Sequence, residues 1–416
     1  MWLGHTAKDD YRVYLLGAGA SYHDTMTKRL PLPLANQFFE EKYLEEFWRS
    51  RSNLVDYPFE DSNLHKILKH SFGFIRKERT AVNVEDVFSF LEVYLSTYNS
   101  NTSTRHILEE ARRELLIYLI DLIRMLSKDR NVEDTIHNLV LMSLGKNDSV
   151  FTFNWDVLID YSKELDIYWK KREPVYKSIL NPYSGPLVNE EKTMEWHYRE
   201  GVNKGDIGLI LRLHGGVGLA HCADQSCPGN ATPIELYPGT PVAEFDSCSF
   251  CGSELKSMIL PPFVHKTYRS NRFINLQARL AADRIKSATE LVIIGYSFPE
   301  SDYEAITLLR LFRPNPDLFA GMSDLIQRKL IIVNPDAENP IFQEKLSRIF
   351  SPNTEKWKYD MINMKLYYST EKFLNEDVKP RVDWQLKEYK NEREMNARKS
   401  SGAAGRITPP VDWWEK

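Results

Sequence analysis

Apolar positions along this chain follow two rhythms. Tyr11–Leu16, Ser149–Phe153, Ile207–Leu213, Thr289–Ile294 and Arg328–Val333 are short runs rich in β-branched and aromatic residues. Each stops at a glycine or polar turn, which is how buried strands of a parallel sheet read. Between the first and second runs the spacing becomes helical. Glu85 to Tyr98 places Val87, Phe88, Leu91 and Leu95 on one face, with Asn83 as its cap. Arg105 to Leu126 repeats the stripe, and Val132 to Leu144 closes the block at Gly145. These stripes predict core packing and carry no chemistry of their own.

Strands interrupted by helices predict an α/β fold: a Rossmann-like parallel sheet with an inserted helical module. The expected divisions are the first strand and glycine loop over 1–34, the helical module over 35–148 and the resumed sheet over 149–216. A small cysteine-bearing lobe over 217–257, the last part of the sheet over 258–383 and a polar, mobile tail over 384–416 follow. Ser301-Asp302-Tyr303-Glu304 reads as a capping box opening a helix to about Phe312, and Asn339-Pro340 opens another. Residues 161–208, with Pro174, Pro182 and Pro186, show no usable period.

The ends of the strands hold the candidate chemistry. Gly17-Ala18-Gly19-Ala20-Ser21 lets the backbone turn tightly and approach a phosphate at a helix N-terminus, although Tyr22 replaces the third glycine of the full dinucleotide fingerprint. Leu30–Asn36 is a proline-constrained loop that follows this turn. Asn154 and Asp156 follow the second strand, either as ligand-binding groups or as turn and helix cap. His214 ends the third strand beside Gly215 and Gly216, where it suits proton transfer or a plain turn hydrogen bond. Gly295 and Ser297 follow the fourth strand. Asn334 follows the fifth, to bind a ribose or to make an Asx turn before Pro335.

Composition narrows the classes of function. With 42% hydrophobic residues the chain can bury a large core, and a net charge of −4 gives no general basic field for nucleic acid. Met1-Trp2-Leu3-Gly4-His5 does not resemble a signal peptide, and the most apolar helix, Glu114 to Leu126, is interrupted by Asp121 and Arg124. A cytoplasmic protein is expected. All 4 cysteines fall between Cys222 and Cys251. Cys222, Cys227, Cys248 and Cys251 form two close pairs that can converge on a structural zinc ion, with His221 an alternative to Cys222.

Taken in order, the glycine turn, Thr152-Phe153-Asn154-Trp155-Asp156, Leu213-His214-Gly215, the paired cysteines, Gly295-Tyr296-Ser297 and Val333-Asn334 resemble the sirtuin family. They are particularly similar to the sirtuin-like domains of bacterial antiphage NADases. The resemblance spans roughly residues 11–350 and is weakest in the helical module. It implies a sirtuin-like sheet with a zinc-ribbon lobe and NAD, as substrate, across the sheet edge. The implied NAD-binding set is Gly17, Ala18, Gly19, Ser21, Thr152, Asn154, Asp156, Gly295, Ser297 and Asn334, with His214 as the base. Deacetylating sirtuins follow the glycine loop with an isoleucine-proline-aspartate-phenylalanine-arginine segment. Leu32-Pro33-Leu34-Ala35-Asn36 stands there instead, as in the NADase branch.

The expected reaction is hydrolysis of the nicotinamide N-glycosidic bond of NAD to nicotinamide and ADP-ribose, in abortive antiphage defence. Asn154 would orient the ribose hydroxyls or the attacking water, His214 would accept a proton, and Asp156 would support the geometry. Two alternatives differ in their products: an NAD-dependent protein deacylase would release O-acyl-ADP-ribose, and a sensor of NAD or ADP-ribose would bind without turnover. The resemblance further implies a homo-oligomer and a hexameric ATPase or other defence protein as partner, and the helical module is the expected assembly surface.

Overall fold

The computed structural model describes residues 11–50, 58–75, 81–97, 103–127, 135–145, 148–159, 210–231, 234–235, 247–248, 250–260, 272–313, 328–350, 362–384 and 387. Residues 161–208, the first five residues and, apart from residues 384 and 387, the tail over 384–416 lie outside them.

Strand β1 (Arg12–Leu16) is buried at every residue, as is β2 (Ser149–Thr152), because helices cover both faces of the sheet they enter. With β3 (Ile210–Arg212), β7 (Glu290–Ile294), β8 (Arg328–Val333) and β9 (Ile362–Tyr367) they form a six-stranded sheet in the order β3-β2-β1-β7-β8-β9. All its pairings are parallel. Relabelled by position among these six, the order is 3-2-1-4-5-6, the doubly wound arrangement that reverses direction beside its first strand. The expected Rossmann-like parallel sheet is therefore present.

Alternation along the strands divides the core in two. Val13, Leu15, Phe151, Leu211, Leu291, Ile293, Leu330 and Ile332 face one cluster, completed by helices over Arg272–Ser287, Tyr303–Leu309 and Pro340–Phe350. Tyr14, Leu16, Val150, Ile210, Val292, Ile294, Ile331 and Val333 face the other, completed by Ala20 of α1 (Ala18–Thr25) and by the helix over Ile136–Met142. A period of two residues thus assigns each strand residue to a layer.

Between β1 and β2 the chain also builds a separate core. Helices over Asn63–Phe72, Val84–Thr97 and Ser103–Ser127 bury Leu64, Leu68, Val87, Phe88, Leu91, Leu108, Leu115, Leu119 and Leu122 together. Val157, Leu158 and Val217, which follow the carboxyl ends of β2 and β3, belong to this same core. Arg124 Nε donates to Val217 O at 3.1 Å, and Ser301 Oγ donates to Glu85 Oε2 at 3.0 Å. The helical layer is fastened to the loops at one rim of the sheet. Among the described residues no helix is long and apolar enough to cross a membrane.

Asp24 ties the helix after the glycine turn to the helix before β2. Its Oδ1 accepts Ile136 N–H at 2.7 Å and its Oδ2 lies 2.6 Å from His137 Nδ1. Burial acts to raise this carboxyl, but hydrogen bonds with His137 and His23 and the charge of His137 outweigh it and hold the group down to about 2. A depressed carboxylate stabilises the fold above its unfolded value near 3.9, and that stability is lost as pH falls toward 2. Asp24 is expected to contribute about 2 kcal/mol between those limits. Urea midpoints should fall more steeply from pH 4 to 2 in the parent protein than in Asp24→Asn, and parallel curves would remove the assignment.

Candidate functional site

Strand register brings distant segments to one edge. Leu16 pairs with both Thr152 and Ile294, Thr152 with Arg212, and Ile294 with Val333. Five parallel strands therefore end level. The residues that leave them, Gly17, Phe153, Leu213, Gly295 and Asn334, emerge along one carboxyl-end rim, with Ala18, Asn154 and His214 one residue further out. Such a rim, beside the point where the strand order reverses, is where open α/β sheets hold ligands.

The two glycine turns nest at that reversal. Gly17 N–H donates to Ile294 O at 2.9 Å, Gly19 N–H to Gly295 O at 2.8 Å, and Gly295 N–H to Val333 O at 2.9 Å. A Cβ on Gly17 would lie 2.6 Å from Gly295 O, so only glycine permits this approach. Helix α1 starts at Ala18, immediately after Gly17, and Ala18 is exposed. Ala20 N–H donates to Gly17 O at 2.9 Å. Gly19 and Ala20 thus direct their amides to protein carbonyls, which narrows the phosphate cradle expected from sequence.

Asn154, Ser21 and Asp156 form one buried chain of hydrogen bonds. Asn154 Nδ2 donates to Gly17 O at 2.9 Å and to Ser21 Oγ at 2.7 Å. Ser21 Oγ in turn donates to Asp156 Oδ2 at 2.6 Å, while Asp156 Oδ1 accepts Leu158 N–H at 2.9 Å. Thr152 Oγ1 accepts Asn154 N–H at 3.0 Å and so shapes the turn. Arg212, which sequence reasoning passed over, donates from Nη1 to Asp156 O at 2.9 Å. Asp156 makes the local turn that its position suggested and also couples that turn to α1.

His214 sits on an aromatic wall. Its ring centroid is 4.7 Å from that of Phe153, which is itself 5.0 Å from that of Tyr296. His214 Nε2 lies 3.3 Å from Asp302 Oδ1, and Tyr296 Oη donates to Asp302 Oδ2 at 2.7 Å. This corrects the capping-box reading of Ser301-Asp302-Tyr303-Glu304: Asp302 stands at the N-cap of the Tyr303–Leu309 helix but makes no side-chain cap bond. Its carboxylate is drawn to His214 and Tyr296, and Ser301 turns to Glu85. Nothing local marks Asp302 for this pairing, since Glu300, Ser301 and Glu304 beside it are equally polar.

The adenosine-side candidates are arranged differently. Asn334 Oδ1 accepts Asp336 N–H at 2.9 Å and its Nδ2 donates to Tyr296 O at 3.1 Å. The Asx turn is formed, and the other end of the amide braces the turn after β7. Ser297 is exposed on that turn.

The chain leaves His214 directly into β4 (Gly215–Cys222), which pairs with β5 (Ile234–Glu235) and β6 (Leu255–Ile259) in a small antiparallel sheet. Leu260 N–H donates back to His214 O at 2.9 Å. Cys222, Cys227, Cys248 and Cys251 place their sulfurs within 4.8 Å of one another. Cys222 Sγ is 3.5 Å from Cys251 Sγ, and Cys227 Sγ is 3.8 Å from Cys248 Sγ. Zinc–sulfur bonds of about 2.3 Å in a tetrahedron separate sulfurs by about 3.8 Å, so the four thiols fit zinc. His221 Nδ1 lies 3.1 Å from Cys222 O. Burial pushes the Cys227 thiol up to about 12, whereas hydrogen bonds from Ser253 bring Cys251 down to about 7. Zinc supplies the charge that offsets this burial when the thiolates form.

The lobe is expected to depend on that ion. Purified protein should carry about one zinc per chain, and chelation should speed amide exchange in β4 and β6 on the order of a hundredfold or more while the six-stranded sheet stays protected. Equal protection with and without chelator would show that the lobe holds itself.

No protein-family model and no curated protein sequence matches the chain. Among solved structures it is similar to a Sir2 homologue triple mutant in complex with 2'-O-acetyl ADP ribose, with 12% identity over 92% of this chain and 94% of that one and a TM-score of 0.41. A Sir2 homologue in complex with NAD gives 13% identity over 92% of this chain and 91% of that one, with a TM-score of 0.39. A Sir2 homologue mutant in complex with ADP ribose gives 14% identity, coverage of 92% and 95%, and a TM-score of 0.37. The assignment of the fold rests on the chain's own strand order and register.

Proposed function

We propose that this chain is an NAD glycohydrolase that cleaves the bond between nicotinamide and ribose, releasing nicotinamide and ADP-ribose. The observation that carries the reading is the level row of strand ends, which brings Gly17, Asn154 and His214 to one rim at the reversal of the sheet. The order of the motifs along the chain, similar to that of sirtuin-like NADases, supports NAD as the dinucleotide.

Heterolysis of the glycosidic bond leaves its electron pair on nicotinamide and an oxocarbenium-like ribose. A site for that step must fix the ribose, exclude bulk water and admit one nucleophile. In this reading the α1 N-terminus faces the pyrophosphate. Asn154 exchanges part of its hydrogen bonding to Gly17 and Ser21 for a ribose hydroxyl or the attacking water. His214 takes the proton from that water as oxygen bonds to the anomeric carbon. Asp156 acts as a positioning group, because its carboxylate is engaged by Ser21 and Leu158. Gly295, Ser297 and Asn334 would line the adenosine half, with Asn334 bracing the turn.

Unchecked hydrolysis of NAD harms its own cell, which favours a cytoplasmic role in abortive antiphage defence with activity gated by assembly or by a partner such as a hexameric ATPase. Exposed Val93, Tyr94 and Ile107 on the helical layer favour it as the homo-oligomer surface. A monomeric mass by light scattering under active conditions would count against assembly.

The deciding experiment mixes purified protein with NAD and separates the products by chromatography. Nicotinamide and ADP-ribose in equal amounts support the proposal. O-acyl-ADP-ribose formed only with an acetylated peptide would replace it with deacylation, and stoichiometric binding without nicotinamide release would replace it with sensing.

A further inference from the structure

We infer that Asp302 is the positioning residue for His214, with Tyr296 as its second anchor. The inference rests on His214 acting as the base proposed above. Asp302 is 1% exposed and His214 3% exposed, so the pair is shielded from water, where a carboxylate beside an imidazole acts most strongly. One oxygen, Oδ1, lies 3.3 Å from His214 Nε2, and the other, Oδ2, accepts Tyr296 Oη–H at 2.7 Å. The tyrosine prevents the carboxylate from rotating away. Phe153 packs against both His214 and Tyr296, with ring planes tilted by 31° and 43°, and so limits the movement of either ring.

The turn that delivers Asp302 is itself unusual. Phe298 has φ of 53°, the one non-glycine residue in the left-handed region among the described residues. An L side chain is disfavoured there, and such backbone persists only where the surroundings enforce it. Phe298 is buried against Phe342 and Phe350, with centroids 5.8 and 6.3 Å away, and Asp302 N–H donates to Pro299 O at 3.0 Å. The aromatic anchor fixes the turn, and the turn aims Asp302 across 88 residues of sequence at His214.

A carboxylate accepting Nε2–H sets the tautomer of the neutral ring, leaving Nδ1 as its proton-accepting nitrogen. When His214 takes a proton, Asp302 stabilises the resulting imidazolium without itself becoming protonated. Asp302 never touches the substrate in this scheme. It acts on the rate through His214 alone.

The test is Asp302→Asn, read by long-range proton–nitrogen correlation in imidazole-labelled full-length protein, with the His214 signal assigned by its loss in His214→Gln. The parent protein is expected to show the Nε2–H tautomer, and Asp302→Asn to shift His214 toward Nδ1–H. Turnover of NAD should fall on the order of a hundredfold or more with KM little changed. An unchanged tautomer in Asp302→Asn would overturn the inference, as would a fall in thermal stability and turnover together without a change in the ring signals. If Asp302→Asn does not fold, Tyr296→Phe decides: a fall in kcat of about tenfold at constant KM supports the second anchor, and unchanged kcat overturns it. Should no protein cleave NAD, the hydrolase reading fails while the tautomer measurement still decides the pairing.

Discussion

Asn154→Ala is expected to slow nicotinamide release from NAD on the order of a hundredfold or more, and His214→Ala to do the same. The side chain of Asn154 joins the end of β1 to α1 by donating to Gly17 O and Ser21 Oγ, both at the rim where the ribose would lie. Alanine removes both of these bonds from a buried place, leaving Gly17 O with Ala20 N–H and Ser21 Oγ with Asp156, at a cost of about 1–3 kcal/mol to the fold. Catalytic loss must therefore be separated from local unfolding. Single-turnover cleavage with saturating NAD, alongside urea denaturation of each variant, makes that separation. A catalytic role requires the rate to fall far more than stability predicts. Full activity in both variants would remove Asn154 and His214 from the chemistry, and with them the assignment of this rim.

A substitution at Gly295 should be the most damaging change to the architecture of the site. With φ at +64°, its added Cβ would lie 2.2 Å from Ala20 N and 2.5 Å from Gly19 C, all backbone atoms that have no side-chain rotamer through which to retreat. The left-handed conformation costs an L residue about 1–2 kcal/mol, and forcing apart packed backbone adds about 1–3 kcal/mol. Gly295→Ala is thus expected to lose about 2–5 kcal/mol by urea denaturation. Gly73 supplies the comparison. It has φ of +62° at the end of the Asn63–Phe72 helix, and its Cβ would meet nothing within 4 Å. Gly73→Ala should therefore lose only the conformational part, about 1–2 kcal/mol. Equal losses in the two variants would mean that nesting of the two turns contributes little.

Within the described residues, local signals marked five of the six strands of the sheet, whereas β9 was not among the expected strands because Asn363 and Lys365 break its apolar run. Val13 to Leu16 and Leu291 to Ile294 are apolar without interruption, as suits a strand covered on both faces. The cysteine spacing was equally informative, since ligand pairs with two to four residues between them are brought together by one turn. Asn83 capped its helix as read, with Oδ1 accepting Glu85 N–H at 2.8 Å. Asn334 made the Asx turn that was one of its two readings. The capping box at Ser301 failed because a tertiary partner competed for each polar side chain and won.

What the sequence alone determined was five of the six strands of the sheet and the polar residues that end them, because both depend on neighbours along the chain. Only the tertiary structure decided which of those ends meet. Ser21 and Asp156 are 135 residues apart and His214 and Asp302 are 88 apart, yet each pair is held within hydrogen-bonding distance. The docking of the helical layer onto the loops after β2 and β3 was likewise invisible, since its apolar stripes look the same whatever they cover. Register between parallel strands sets these meetings, and register is a property of packed faces that no single stretch of chain encodes.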